Sequence, residues 1–153
     1  MTVHRDLQTL AAALAPVERE AASLPWSAQD PWRSTTHLGI ADGLPLVDLH
    51  GLSVRLGLAA VDAALAADLA SGAVILVTGR GRHTGGHSKL RTAVLAHLEE
   101  QDGVRVVPRG AARVEVVLDE DRARKARAGM GLLFWLFVAL LLLGLVAAVL
   151  NRL

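Results

Sequence analysis

Two stretches of this 153-residue chain carry side chains suited to chemistry on a phosphate ester. The longer runs from Thr78 to Lys89, Thr-Gly-Arg-Gly-Arg-His-Thr-Gly-Gly-His-Ser-Lys. Gly79, Gly81, Gly85 and Gly86 let its backbone take positive φ and approach a ligand closely. Arg80, Arg82, Lys89 and Arg91 set cations around that backbone, and no acidic residue lies between Asp68 and Glu99. A helix opening near Ser88 adds unpaired N–H groups and the positive end of a dipole, so the stretch suits an anion, most simply a phosphate. The shorter stretch is Leu46-Val-Asp-Leu-His-Gly-Leu52. Side chains alternate along a strand, so Asp48 and His50 share a face.

Phosphodiester cleavage needs a bound anion, an activated nucleophile and a proton donor for the leaving oxygen. The glycine stretch, with Thr78, Gly79, Arg80, Gly81, Arg82, His83, Lys89 and Arg91, supplies the first. His50 is a general base or acid, and Asp48 can orient its ring. With RNA, His50 can deprotonate the 2′-hydroxyl and no metal is required. With DNA, a water nucleophile needs more activation, and Asp48 can help to hold a divalent cation such as Mg. The same residues also have plainer readings: a glycine loop with solvated charges, and an Asp and a His that only shape a turn.

Other motifs fail on spacing. Gly79-x-Gly81 has Thr84 where a dinucleotide fingerprint needs glycine. Gly86 is followed by His87 and Ser88, so no Walker A loop is present. Gly85 and Gly86 between His83 and His87 disfavour a helical metal pair. The chain has no cysteine, which removes disulfides, thiolate nucleophiles and Cys-based zinc sites. Residues 44–118 contain no Phe, Trp or Tyr, so stacking of bases on such rings is not expected there. Recognition is then of backbone and shape, with a strong salt dependence.

The elements that must position these residues follow from apolar periodicity. Leu7, Leu10, Leu14 and Val17 predict one helix or two short ones over 4–24, interrupted by Pro16. Residues 23–36 read as a linker with Trp26 and Trp32 as aromatic anchors, and Gly43-Leu-Pro45 reads as a turn. A strand over 46–49 leads through a Ser53 cap to a helix burying Leu58, Val61, Leu65 and Leu69, closed by Gly72. Ala73–Val77 is a continuous apolar strand. A second helix runs to about Gln101, and Val104–Val107 and Arg113–Leu118 are strands around Pro108-Arg109-Gly110. The expectation is an α/β fold: a small two-layer β-α-β-α-β-β sandwich with a four-stranded mixed sheet, in which two helix crossovers join parallel neighbours.

From Met130 to Leu150 no residue is charged, and at 1.5 Å per residue the run spans roughly 32 Å, a bilayer's hydrocarbon thickness. It reads as a transmembrane helix followed only by Asn151, Arg152 and Leu153, a tail anchor. Arg122, Arg124, Lys125 and Arg127 precede it against Arg152 after it, which places the N-terminal part in the cytoplasm and offers contacts to anionic lipid. The expected organisation is an N-terminal helical segment and linker over 1–43, an α/β domain over 44–118, a charged linker over 119–129 and the span over 130–150.

The Asp48-Leu-His-Gly51 and Thr78-Gly-Arg-Gly81 signatures, separated by a helix and an apolar strand, with Lys89-Leu90 opening the next helix, resemble the small MutS-related (Smr) domain. The resemblance covers residues 46–118 and departs from the family where His83-Thr84-Gly85-Gly86 lacks a proline that many members carry. It implies a fold similar to the C-terminal domain of translation initiation factor three, and a nicking endonuclease acting on DNA or RNA. Asp48 and His50 carry the first signature, and Thr78, Gly79, Arg80 and Gly81 the second. The expected function is a membrane-anchored, single-pass endonuclease with little sequence preference. The alternatives are a non-catalytic nucleic-acid-binding module and a membrane-surface scaffold.

Overall fold

The computed structural model describes residues 2–24, 31–79 and 88–119. Among them the chain is α/β, with four helices and a five-stranded mixed sheet. The elements in order are α1 (Thr2–Ala22), α2 (Ser34–His37), β1 (Leu38–Ala41), β2 (Leu44–Asp48), α3 (Val54–Ala66), β3 (Ala73–Val77), α4 (Lys89–Glu99), β4 (Val104–Pro108) and β5 (Arg113–Leu118). Across the sheet the order is β1-β2-β3-β5-β4, with β2 and β3 parallel and every other pair antiparallel.

Two expectations are corrected. The sheet has five strands because Leu38–Ala41 forms an edge hairpin with β2. The turn lies one residue before the expected Gly43-Leu-Pro45, with Asp42 at φ 52° and Gly43 at φ 75°, the two left-handed positions of a two-residue hairpin loop. Pro45 sits inside β2, before the parallel pairing with β3 begins at Leu46, so its missing N–H costs the central ladder nothing. The second correction concerns neighbours. α4 carries the chain to β4, which is not beside β3, because β5 folds back and inserts between the two. β4 still runs parallel to β3, one strand removed.

One face of the sheet meets the helices. Val47, Leu49, Val74, Leu76, Val114, Val116 and Leu118 join the apolar sides of α1, α3 and α4 in a single core. Ser53 caps α3 by accepting from Leu56 N, as its position predicts, while the helix ends at Ala66, so Leu69 is buried from the following turn and Gly72 ends that turn at φ 65°. Gly57 lets α3 and α4 close, since a Cβ there would stand 2.4 Å from Leu90 Cδ1. His97 Nε2 and Asp62 Oδ1, 2.6 Å apart, join the same two helices near the surface.

α1 belongs to this core. Leu10 and Leu14 are fully buried, each contributing roughly 1.5–3 kcal/mol over exposure. The helix runs unbroken through Pro16, which is exposed together with Ala12. The carbonyl that loses its bond to a residue-16 N–H is that of Ala12, on the solvent side, so the defect is tolerable. Asp6, fully buried, accepts from Ala70 N at 2.8 Å and Ser71 N at 3.0 Å, holding the turn that leads into β3. At the surface Arg55 pairs with Glu20, whose hydrogen bond and charge raise the guanidinium pKa; Arg55 is cationic at all working pH values regardless.

No helix among the described residues is long and apolar enough to cross a membrane. The expected span 130–150, and Arg122, Arg124, Lys125 and Arg127 before it, lie outside the described residues.

Asp6→Ala leaves two backbone donors without an acceptor in a buried turn, and is expected to cost roughly 2–3 kcal/mol. Urea unfolding followed by circular dichroism checks this, with an unchanged slope and a lower midpoint.

Candidate active site

β2 and β3 end side by side, and Leu49 N donates to Val77 O at 2.8 Å, carrying the parallel pairing one step beyond the strand. The carboxyl ends of parallel strands are where open α/β sheets place ligands. Here the edge gathers the turn after β2, the exit of β3, the start of α4 and the β4–β5 turn.

The turn after β2 is built by Leu49, His50, Gly51 and Leu52. Leu52 N returns to Leu49 O at 3.2 Å, and Gly51 takes φ 85°, as the third position of a type II turn requires. His50 therefore stands at the turn's outer corner, with a side chain 64% exposed. Asp48 Oδ1 accepts from His50 N at 3.0 Å, and Asp48 Oδ2 lies 2.8 Å from His50 Nδ1. The turn, rather than strand alternation alone, brings the pair together. A carboxylate at Nδ1 fixes that nitrogen as the donor, so the neutral ring carries its lone pair on Nε2. Nε2 has no partner among the described residues.

The ring is buttressed from a part of the chain read only as a linker. Trp32, buried at 3% exposure, donates its indole N–H to Asp48 O at 2.7 Å. His37 packs between Trp32 and His50, its ring centroid 5.2 Å from each. α2 is set by α1, whose Glu18 Oε2 accepts from Ser34 Oγ at 2.7 Å and Ser34 N at 3.3 Å. His37 Nδ1 faces Thr36 Oγ1 at 2.8 Å, Arg33 O at 3.0 Å and Arg33 N at 3.3 Å. The sequence offered a signal for Trp32 as an anchor but none for His37, which sits nine residues before Leu46, where the first chemical motif begins, on an element of one turn.

The cationic side is built on Thr78 and Ser88. Ser88 Oγ donates to Thr78 O at 3.2 Å and accepts from Arg91 N at 3.2 Å, so one hydroxyl caps α4 and ties its start to the exit of β3. Thr78 is 3% exposed; its N–H and its hydroxyl both reach Ala112 O, at 2.9 and 3.4 Å, which braces the β4–β5 turn. Gly79 turns the chain at φ 76°. Lys89 is exposed on the first turn of α4. Arg91 is half-buried, with Nη2 reaching Gly110 O at 3.4 Å and Nη1 buried without a hydrogen-bond partner among the described residues. A buried guanidinium nitrogen lacking an acceptor calls for one, and an anion would satisfy it. Arg113 brings further positive charge to the same edge, whereas the charge of Arg109 is offset by its pair with Glu115 Oε2 at 2.5 Å.

The structure thus brings Asp48 and His50 into contact and sets Thr78, Gly79, Lys89 and Arg91 at the same sheet edge. Arg80, Gly81, Arg82 and His83 lie outside the described residues. No cluster of three or more His, Asp or Glu side chains arranged to hold a metal occurs among the described residues. Compared with protein-family models, curated proteins and solved structures, the chain finds a match in none of the three.

The Asp48 contact makes a spectroscopic prediction. Long-range proton–nitrogen correlations should find neutral His50 protonated at Nδ1, and Asp48→Ala should shift that population toward the Nε2–H form usual for free imidazole.

Proposed function

We propose that this chain is an endonuclease of the small MutS-related kind, cleaving phosphodiester bonds with little sequence preference and tethered to a membrane by residues 130–150. The observation that carries the reading is the Asp48–His50 contact, which leaves His50 Nε2 unpartnered at the end of two parallel strands. The motif resemblance over residues 46–118 points the same way. Lys89, the orphaned Nη1 of Arg91 and the start of α4 supply an anion site nearby.

RNA is the favoured substrate. The 2′-hydroxyl is a nucleophile already attached to the scissile phosphate, so a positioned base is enough to activate it. His50 Nε2 takes the hydroxyl proton, while Asp48 holds the imidazole and stabilises the imidazolium that forms. The cations offset charge gathering on the non-bridging oxygens. Both Asp48 oxygens already serve His50, which leaves less of that carboxylate for a divalent cation and makes the route through DNA the harder one. In this reading the cytoplasmic domain works close to the inner leaflet, and Arg122, Arg124, Lys125 and Arg127 meet anionic lipid. The same cations would also serve a module that binds nucleic acid without cutting it, and the histidine separates the two.

The test uses the full chain in detergent micelles with labelled single-stranded RNA. His50→Ala should lower the cleavage rate by about 10²–10⁴-fold and leave RNA affinity nearly unchanged. Cleavage should survive chelator, and binding should weaken steeply with added salt. RNA binding with no cleavage in the wild type supports the binding module; indifference to both RNA and nicked plasmid sinks the nucleic-acid reading.

A further inference from the structure

We infer that His37 is a second catalytic residue, the general acid that protonates the leaving oxygen opposite His50. The inference rests on the nuclease reading above and extends it to a residue outside both motifs.

A single imidazole can take the nucleophile's proton, but the departing 5′-oxygen also needs one, and no other described side chain touching His50 can give it. The Asp48 carboxylate is an acceptor committed to His50. The neighbouring ring is His37, with centroids 5.2 Å apart and planes tilted by 40°. The attacking and leaving oxygens of an in-line displacement flank one phosphorus; paired metals that clamp such oxygens stand roughly 3.5–4 Å apart, a span of the same order.

The hydrogen bonds give the two rings opposite duties. At His50 the carboxylate demands a proton on Nδ1 and leaves a lone pair on Nε2. At His37 the Thr36 hydroxyl donates to Arg33 O at 3.2 Å, so Thr36 Oγ1, 2.8 Å from Nδ1, can accept from a protonated Nδ1. The carbonyl of Arg33, 3.0 Å from the same Nδ1, accepts a hydrogen bond from the ring when it is charged. In the charged ring Nε2 also carries a proton, and it has no partner among the described residues. The surrounding packing keeps it there: Trp32 supports the far side of the ring, and Glu18 of α1 holds Ser34 at the start of α2.

The step balances without a co-reactant. The 2′-hydroxyl proton passes to His50 Nε2, the O2′–P bond forms and the P–O5′ bond breaks, and the Nε2 proton of the His37 imidazolium passes to O5′, leaving that ring neutral with its remaining proton on Nδ1 beside Arg33 O. The products are a 2′,3′-cyclic phosphate and a 5′-hydroxyl end. Exchange with water then returns both rings to their starting states.

The test compares two substrates in the full chain. One is a dinucleotide with an ordinary 5′-alkoxide leaving group; the other is a nucleoside 3′-(4-nitrophenyl phosphate), whose leaving group departs without a proton. His37→Phe keeps a ring between Trp32 and His50, and His37→Gln keeps an N–H donor, yet neither side chain can transfer a proton. Both variants should lower kcat on the dinucleotide by about 10²–10³-fold with little change in KM, and should approach wild-type turnover on the aryl ester. His50→Phe should fail on both. Equal losses on the two substrates would show that His37 merely positions its neighbour and would overturn the acid assignment. Unchanged dinucleotide cleavage would overturn it as well, while leaving the nuclease reading intact. A wild type that cleaves neither substrate overturns both.

Discussion

Much of this molecule hangs on the last residue of β2. The Asp48 side chain spans the turn to reach both the backbone N–H and the ring of His50, while its main-chain carbonyl takes the indole N–H of Trp32. One residue therefore joins the central sheet, the corner of a turn and a segment sixteen positions upstream. A carboxylate 26% exposed loses part of its hydration, and two hydrogen bonds offset that loss. The backbone beneath it cannot drift, because Leu49 N is bonded to Val77 O on the neighbouring strand. An Asp that bonds the N–H two residues ahead is an ordinary turn device. What goes beyond that device is the second oxygen, spent on a ring that faces solvent, where it adds little to stability but selects which imidazole nitrogen is available.

The N-terminal forty residues are tied to that site through a chain of contacts. Leu10, Leu14 and Val17 enter the core, Asp6 grips the turn before β3, and Glu18 fixes the start of α2. α2 is four residues long and could not persist by itself. Its conformation is imposed by α1 on one side and by the β1–β2 hairpin on the other. His37 owes its place to tertiary packing, which explains why no local pattern announced it. The aromatic ring beside the candidate site, Trp32, comes from upstream of residues 44–118 and is buried as a support.

Where sequence periodicity is strong, structure followed it. Ala73–Val77 is a strand, Ser53 and Ser88 cap their helices, and α1 keeps its stripe through Pro16. The misses have local causes. Asp42-Gly43 is a strong hairpin signal, but Gly39 in a four-residue strand and Pro45 just beyond the turn weakened both arms. The insertion of β5 between β3 and β4 was also legible in principle. Val114, Val116 and Leu118 alternate as in a strand with one face in the core, whereas β4 carries Arg105 and ends in Pro108, features of an edge. Adjacency along the chain was the weaker guide, because β4 and β5 are joined tightly enough to enter the sheet as a unit. For the candidate site, residue types and spacing singled out Asp48 and His50, while their contact and the His37 ring beside them followed only from the folded structure.

The fold also has a polarity that bears on the proposed anchor. β3 and β5 run antiparallel, so the edge where β2 and β3 end is the edge where β5 begins. β5 therefore finishes at the opposite edge, where Leu118 N bonds Gly72 O and Asp119 N bonds Gly103 O. The chain leaves the domain there, a strand length of roughly 17 Å from His50. The stretch from Asp119 to Gly129 reaches at most about 36 Å, so under the proposed anchoring the exit edge is held near the lipid. A site on the far edge then opens toward the cytoplasm. Lys89 and Arg91 lie at the edge opposite that exit, and the strand length between the two edges exceeds the screening length of about 8 Å at physiological salt. Lipid phosphate and nucleic-acid phosphate would thus be met by different faces of one small domain, and tethering would not require the site to compete with the membrane for its ligand.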